Sequence, residues 1–337
     1  MEKLEDLTSK VFNIEPPKLS AGSVKLSTPH VVPVFKVASS MKPEEYKDAV
    51  VKAKEHIVAG DIFQIVLSQR FERRTLADPF EVYRSLRVVN PSPYLSYIQA
   101  GGCILAASSP EILTRVTQRK IISRPLAGTI RRGKTEVEDK MLEKELLADE
   151  KECAEHIMLV DLARNDIGKV SKAGSVKVER LMNVERYSHV MHISSTVTGE
   201  LLDGKNCWDA LESELPLGTV TGAPKVKSME IIDELEFTRR GPYSGGFGYV
   251  SFSGDMDIAI AKRTIVFPNV PGINGYKDND NSTPKMRREW IAHFQVGSGI
   301  VADSDPDREQ RECENKAAGL LRGIELAEST FVFNKSC

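Results

Sequence analysis

Two glutamates three residues apart, Glu152 and Glu155, stand in the stretch DEKECAEHIMLVDLARND with His156 directly behind them. The same spacing returns at Glu309 and Glu312, in DREQRECENKAAGLL. On a helix, positions i and i+3 share a face, so each pair projects its carboxylates together. A pair of this kind is ordinarily a solvated helix face. Here the apolar run Ile157, Met158, Leu159, Val160 follows the first pair, and Glu312 abuts an apolar stripe of its own. Both pairs therefore sit at a core margin. Four carboxylates gathered there repel one another unless a cation joins them, and Mg²⁺ is the hard cation suited to a sparse carboxylate site that also binds an anionic substrate.

Other stretches offer weaker chemistry, and each has a plain structural alternative. In LPLGTVTGAPK, Gly218, Thr219 and Gly222 precede a helix, where free N–H groups can hold an anion, or simply enter an N-cap. RPLAGTIRRG contains the small-residue turn Ala127, Gly128, Thr129, which a ligand could approach closely. GPYSGGFGY suits a sharp bend or a tight binding wall. Arg263 reads as embedded in an apolar strand and so needs an anionic partner, internal or bound. His192 shares a strand face with Ser188, Ser194 and Thr196, where a histidine is more often structural than catalytic. No nucleophile elbow, no Walker loop and no convincing dinucleotide fingerprint occurs.

These residues need elements to hold them. Residues 15–40 read as an extended leader. A helix follows, capped by Ser40, with a Tyr46, Ala49, Ala53, Ile57 stripe and Gly60 as its stop. In DIFQIVLSQRFE, Phe63, Ile65 and Leu67 alternate with Gln64, Ser68 and Arg70, which predicts a strand with one polar face. Strand pairs are expected over 94–106 and 111–123, and one long helix over 136–164. A strand should cover RYSHVMHISSTVTG, and a helix should open at GAPKVKSMEIIDELE with Pro224 in its first turn. A hairpin leads into MDIAIAKRTIVF, and a polar insertion follows, PNVPGINGYKDNDNSTPK. HFQVGSGIV reads as a strand. A final helix starts at Asp305–Pro306 with the stripe Cys313, Ala317, Leu320, Ile324. Strands and helices mix without strict alternation, so the fold class is α+β with a largely antiparallel sheet.

The bulk numbers set bounds. A chain of 337 residues, 41% apolar and 28% charged, can bury a core in one large domain or two. A net charge of −2 gives no electrostatic reason to expect nucleic acid or an anionic membrane as partner, and no apolar run reaches membrane-spanning length. The acidic, amphipathic start is not a secretory leader and reads like the interior of a longer protein. Five scattered cysteines without a C-x-x-C fit reduced thiols in an intracellular or organellar compartment.

Taken in order, GDIFQIVLSQRF, NPSPY, SSPE, PLAGT, AEHIMLVDLARND, ERYSHVMH, GTVTGAPK, GPYSGGFGY, QVGSGIVADSDP and ENKA, spread over residues 43–328, resemble the chorismate-utilising enzymes. Within that family the likeness is greatest to large (alpha, component I) subunits of anthranilate synthases of the plant type. The resemblance implies an antiparallel β-sandwich flanked by helices, short of some N-terminal strands. It divides the chain into a leader (1–40), a chorismate-binding catalytic domain (41–330) and a tail (331–337). It implies Mg²⁺ on Glu152, Glu155, Glu309 and Glu312, gripping the ring carboxylate of chorismate. Gly128, Thr129, Thr219, Tyr243, Arg263, Gly297 and Gly299 match the remaining substrate positions, with Arg263 and Tyr243 on the enolpyruvyl carboxylate. Glu111 matches the acid that protonates the departing hydroxyl, and His192 the histidine of the pyruvate-elimination half. A glutamine amidotransferase (beta) subunit is the implied source of ammonia, and a plastid the implied location.

Two positions separate the relatives. Members that add water at C2 carry a lysine base where this chain has Gln64, and members that aminate at C4 carry a nucleophilic lysine where it has Ala127. Both substitutions favour ammonia addition and anthranilate over isochorismate or aminodeoxychorismate. The other reading, from a different class, is a non-catalytic remnant that binds ligand or a partner subunit. Asn90, Pro91, Ser92, Pro93 and Tyr94 match half of the family's tryptophan feedback site, whereas its Leu-Leu-Glu-Ser half does not occur, so normal tryptophan inhibition is not expected. Lys262 stands where plant members usually have an apolar residue.

Overall fold

The computed structural model describes residues 35–186, 190–268 and 288–332. Seven α-helices occur among them: α1 Pro43–Val58, α2 Pro79–Val89, α3 Glu136–Ala148, α4 Glu150–Gly168, α5 Cys207–Glu214, α6 Lys225–Leu235 and α7 Pro306–Ala327. The strands are β1 Val37–Ser39, β2 Gln64–Thr75, β3 Tyr94–Gln99, β4 Cys103–Ser109, β5 Ile112–Thr117, β6 Lys120–Ser123, β7 Leu126–Arg131, β8 Lys177–Arg186, β9 Val190–Glu200, β10 Gly222–Ala223, β11 Gly246–Val250, β12 Met256–Ile260, β13 Thr264–Pro268 and β14 Trp290–Ile300.

They form two seven-stranded sheets, paired antiparallel throughout. The first runs β1-β2-β14-β13-β4-β3 with β10 beside β2; the second runs β11-β12-β5-β6-β9-β7 with β8 beside β9. Burial explains the layering. Ile65, Leu67 and Phe294 of the first sheet pack with Tyr46 of α1, Leu86 of α2 and Leu320 and Ile324 of α7. Leu113, Ile121 and Val197 of the second pack with Val160 and Ile167 of α4 and Ala210 of α5. A small third cluster, Ala107, Phe247, Ala259 and Ala261, joins the two sheets. This is the α+β antiparallel architecture the sequence predicts. No helix among the described residues is long and apolar enough to cross a membrane.

Several expectations shift. The long helix over 136–164 is two helices. Asp149, at ψ 104, ends α3 and caps α4 by accepting from the Lys151 and Glu152 N–H groups. Ser40 does not cap α1: Lys42 is the N-cap, and the Ser40 hydroxyl accepts from Arg70 N–H. Phe63 lies outside β2 and is exposed, while Ile65 and Leu67 enter the core. MDIAIAKRTIVF is not one strand. It ends β12 in one sheet and begins β13 in the other, with Ala261, Lys262 and Arg263 forming the crossing. Arg263 therefore occupies a corner at φ 48, where a straight ladder cannot continue. The α7 stripe Cys313, Ala317, Leu320, Ile324 is buried as expected. Ser188 and the polar insertion fall outside the described residues, apart from Pro268 at the end of β13.

Candidate active site

The two Glu-x-x-Glu pairs meet across β14. Glu155 on α4 accepts a 2.6 Å hydrogen bond from Gln64 Nε2 at the start of β2. Gly299 of β14, opposite Val66, leaves room for this bond: a Cβ there would lie 3.0 Å from Gln64 Nε2 and 3.3 Å from Glu155 Oε1. On the far side, Lys316 Nζ bonds Glu312 Oε1 at 2.6 Å and the Gly297 carbonyl at 2.7 Å. Three residues of one strand thus span the gap between the helices.

Electrostatics record the crowding. Burial, then the charge of Glu152, with a smaller contribution from Glu312, pushes Glu155 up to about 7. Glu152 is raised by burial and by Asp149, with Glu312 contributing, while the Thr129 N–H pulls it back. Glu309, 8% exposed, is raised by burial and by Glu312, and the Ser304 and Ser298 hydroxyls oppose the shift. His156, by contrast, turns away from the carboxylates. Its Nε2 lies 2.6 Å from Ser195 Oγ, and burial depresses it to about 4. It anchors α4 to β9 and takes no part in the site.

The neighbouring wall is the β7–β9 pair. Its register shifts between Ala127 and Thr129, and Gly128 takes up the irregularity at φ 72. A Cβ at Gly128 would meet Ile193 at 3.0 Å and Glu152 Oε2 at 3.4 Å, so this glycine permits close approach to the carboxylates. His192 Nδ1 lies 3.0 Å from Thr129 Oγ1 and 3.3 Å from the Gly128 carbonyl. Burial, with Arg263 nearby, lowers His192 to about 4, so the ring is neutral at physiological pH. Tyr243 is buried beside Gly297, where a Cβ would come within 3.0 Å of its hydroxyl. Its phenol is held far above the ordinary tyrosine range by burial, an effect the Arg240 charge opposes. Glu111, 3% exposed, pairs with Lys262 Nζ at 2.6 Å.

The GTVTG turn is built differently from the open anion loop it resembles. Gly218–Val220 is a 3₁₀ turn, and the Val220 and Thr221 N–H groups are spent on Leu217 and Gly218 carbonyls. Gly222, at φ 146, pairs with Ile65 as β10. Thr219 lines a small cavity of about 20 Å³ together with Glu111 and Glu214. Among the described residues its Oγ1 has no hydrogen-bond partner. Asn90 and Ser92 bond Ser108, and Pro93 and Tyr94 line a separate cavity of about 250 Å³ with Arg115 and Asp257.

A model of chorismate binding enzymes matches residues 3–322 of this sequence. The chain belongs to the chorismate-binding enzymes. It is 70% identical over 335 residues to the chloroplastic anthranilate synthase alpha subunit 1 of Arabidopsis thaliana, covering 98% of this chain and 55% of that relative. The chloroplastic alpha subunit 2 of Oryza sativa subsp. japonica is 69% identical, with 98% and 54% covered. The crystal structure of anthranilate synthase component I from Streptococcus pneumoniae TIGR4 superposes with a TM-score of 0.76 at 38% identity, covering 95% of this chain and 65% of that one. The chain thus spans about half the length of the plant relatives it matches.

In this chorismate-binding enzyme the four glutamates supply only hard oxygen donors, and the raised pKa values of Glu152, Glu155 and Glu309 are what burial, reinforced by neighbouring carboxylates, produces. Those donors fit a hard divalent cation such as Mg²⁺. The described residues do not, however, close three acidic, histidine or cysteine groups around one point. Gln64 and Lys316 hold Glu155 and Glu312 instead. Lys316 lies in the ENKA stretch, and its position one turn beyond Glu312 is the sequence signal for this pairing.

Proposed function

We propose that this chain carries the chemistry of an anthranilate synthase large subunit, with ammonia adding at C2 of chorismate, the C4 hydroxyl leaving, and pyruvate eliminated to give anthranilate for tryptophan synthesis. The observation that carries this reading is Gln64. An amide, not an ammonium, stands 2.6 Å from Glu155, and Gln64 Oε1 is buried without a hydrogen-bond partner among the described residues. A neutral amide cannot deprotonate water, and its free oxygen can accept an N–H from ammonia, which is already a nucleophile. The likeness to plant alpha subunits supports the same reading.

Glu152, Glu155, Glu309 and Glu312 would hold Mg²⁺, which supplies an electrophilic anchor for the ring carboxylate. Gly128, Gly297 and Gly299 keep the walls thin enough for substrate to lie against backbone. Arg263, Tyr243, Thr129 and Thr219 offer donors to its oxygens. Glu111 gives the proton that the departing hydroxyl takes. His192, neutral and tied to Thr129, is a base for the pyruvate step. A glutamine amidotransferase subunit as ammonia source, and a plastid as location, belong to the same proposal.

The test is anthranilate fluorescence from the purified chain with chorismate, MgCl₂ and ammonium salt near pH 8. Product that EDTA abolishes and Glu309→Ala removes is expected. A folded chain that makes none overturns the proposal.

A further inference from the structure

Two of the crossings between the sheets lie side by side, one running from the first sheet to the second and the other back. One crossing, Pro110–Glu111, joins β4 to β5; the other, Ala261–Arg263, joins β12 to β13. Two backbone bonds tie them, Ile260 N–H to the Glu111 carbonyl at 3.0 Å and Ser108 N–H to the Arg263 carbonyl at 3.2 Å. This seam sets Lys262 Nζ 2.6 Å from Glu111 Oε2, with the carboxylate side chain 3% exposed and the lysine side chain 23% exposed.

An acid that protonates a leaving hydroxyl must hold a proton when the bond breaks. In this pair Lys262 Nζ is the donor, its N–H directed at Glu111 Oε2. We propose that Lys262 is the proton supply for Glu111, a positioning residue that acts through that carboxyl and touches no substrate. The inference rests on the acid role given to Glu111 above. The Lys262 N–H bond breaks as a Glu111 O–H bond forms. That O–H then breaks as its proton joins the departing hydroxyl, which takes the C4–O electron pair and leaves as water. Lys262, now a neutral amine, regains a proton from solvent along its exposed flank.

The other charged groups near the pair are poorly suited to the task. Arg263 and Arg124 do not release protons. Tyr243 holds its proton far too tightly, and His192 carries no spare proton at neutral pH. Asp166 is engaged by Lys169 and Lys225. Glu214, across the small cavity and pushed up to about 8 chiefly by burial, is the rival donor, although it receives the Ser123 hydroxyl.

The experiment measures kcat and KM for chorismate against pH at constant free ammonia, for the unmodified chain, Lys262→Arg, Lys262→Met and Glu214→Gln. Arginine keeps the ion pair but cannot yield a proton, so kcat should fall at least about 10-fold at every pH with KM little changed. Methionine leaves Glu111 to draw its proton from solvent, so activity should survive on the acid side and vanish on the alkaline side. Glu214→Gln should leave the profile as it was. Rescue by arginine would reduce Lys262 to a structural clamp and overturn the proposal. So would identical profiles for all four proteins, or loss confined to Glu214→Gln. An inactive unmodified chain overturns the proposed function and the proton supply with it, whereas an active chain indifferent to Lys262 overturns only the latter.

Discussion

Gln64 Nε2 donates to Glu155 Oε1 at 2.6 Å, joining the first residue of β2 to a carboxylate of α4. The bond fixes one glutamate of the proposed cation site from outside its own helix, and the pleat of β2 aims it. Replacing Gln64 by leucine removes this support and the free Oε1 together. Mg²⁺ affinity measured by calorimetry should fall about 10- to 100-fold, the usual cost of losing a hydrogen bond to a metal ligand, and KM for ammonium should rise. Unchanged Mg²⁺ binding would show that α4 alone orients Glu155.

Glu214 is almost fully buried and pushed up to about 8 by burial, an effect Asp166 reinforces. Its folded-state pKa lies above the unfolded value, so the protonated form is favoured by folding. That stability is fully present below the unfolded carboxylate pKa and is lost as pH rises through the folded one. Glu214→Gln, which cannot ionise, should therefore match the parent near pH 5 and exceed it above about pH 8, by on the order of a few kcal/mol. Urea melts at the two pH values read the difference directly.

Gly222 sits at φ 146, and a Cβ there would fall 2.2 Å from the Gln64 carbonyl oxygen and 2.6 Å from Ser228 Oγ. Backbone on one side cannot yield. Gly222→Ala should cost about 2–4 kcal/mol in urea unfolding and displace Gln64. Alanine at Gly174, which meets nothing within 4 Å but also has a positive φ of 76, separates conformational strain from collision. A loss at Gly222 no larger than at Gly174 would mean β10 can shift away from β2.

His192, lowered to about 4, should stay neutral across the physiological range. Its ring resonances in an NMR titration should not move between about pH 6 and about pH 8, where an ordinary histidine titrates. An inflection in that window would mean the ring is wetter than its burial implies.

Much of this architecture was legible locally. The α7 stripe and the polar face of β2 announced themselves by period, because a helix or strand that buries one face must repeat at 3.6 or 2 residues. The paired glutamates were visible for the same reason. Three features were not. Asp149 breaks a pattern that stays helical on both sides, since a capping aspartate is also tolerated mid-helix. Arg263 looked like a strand residue because the apolar run continues from one sheet into the other, and no local signal marks the change of ladder. The GTVTG turn has the composition of an open anion loop, but its Val220 and Thr221 amides are spent on the Leu217 and Gly218 carbonyls, which composition does not reveal.

Sequence by itself determined which residues carry charge and which face of each element they occupy, for these follow from chain chemistry and short-range period. Tertiary structure decided the pairings: Gln64 with Glu155 across 91 positions, Glu111 with Lys262 across 151. Those depend on how two sheets and their crossings stack, a matter of long-range packing in which every layer must be buried at once. The lysine beside the acid was visible as a residue type from the start, but only the seam between the sheets made it a partner.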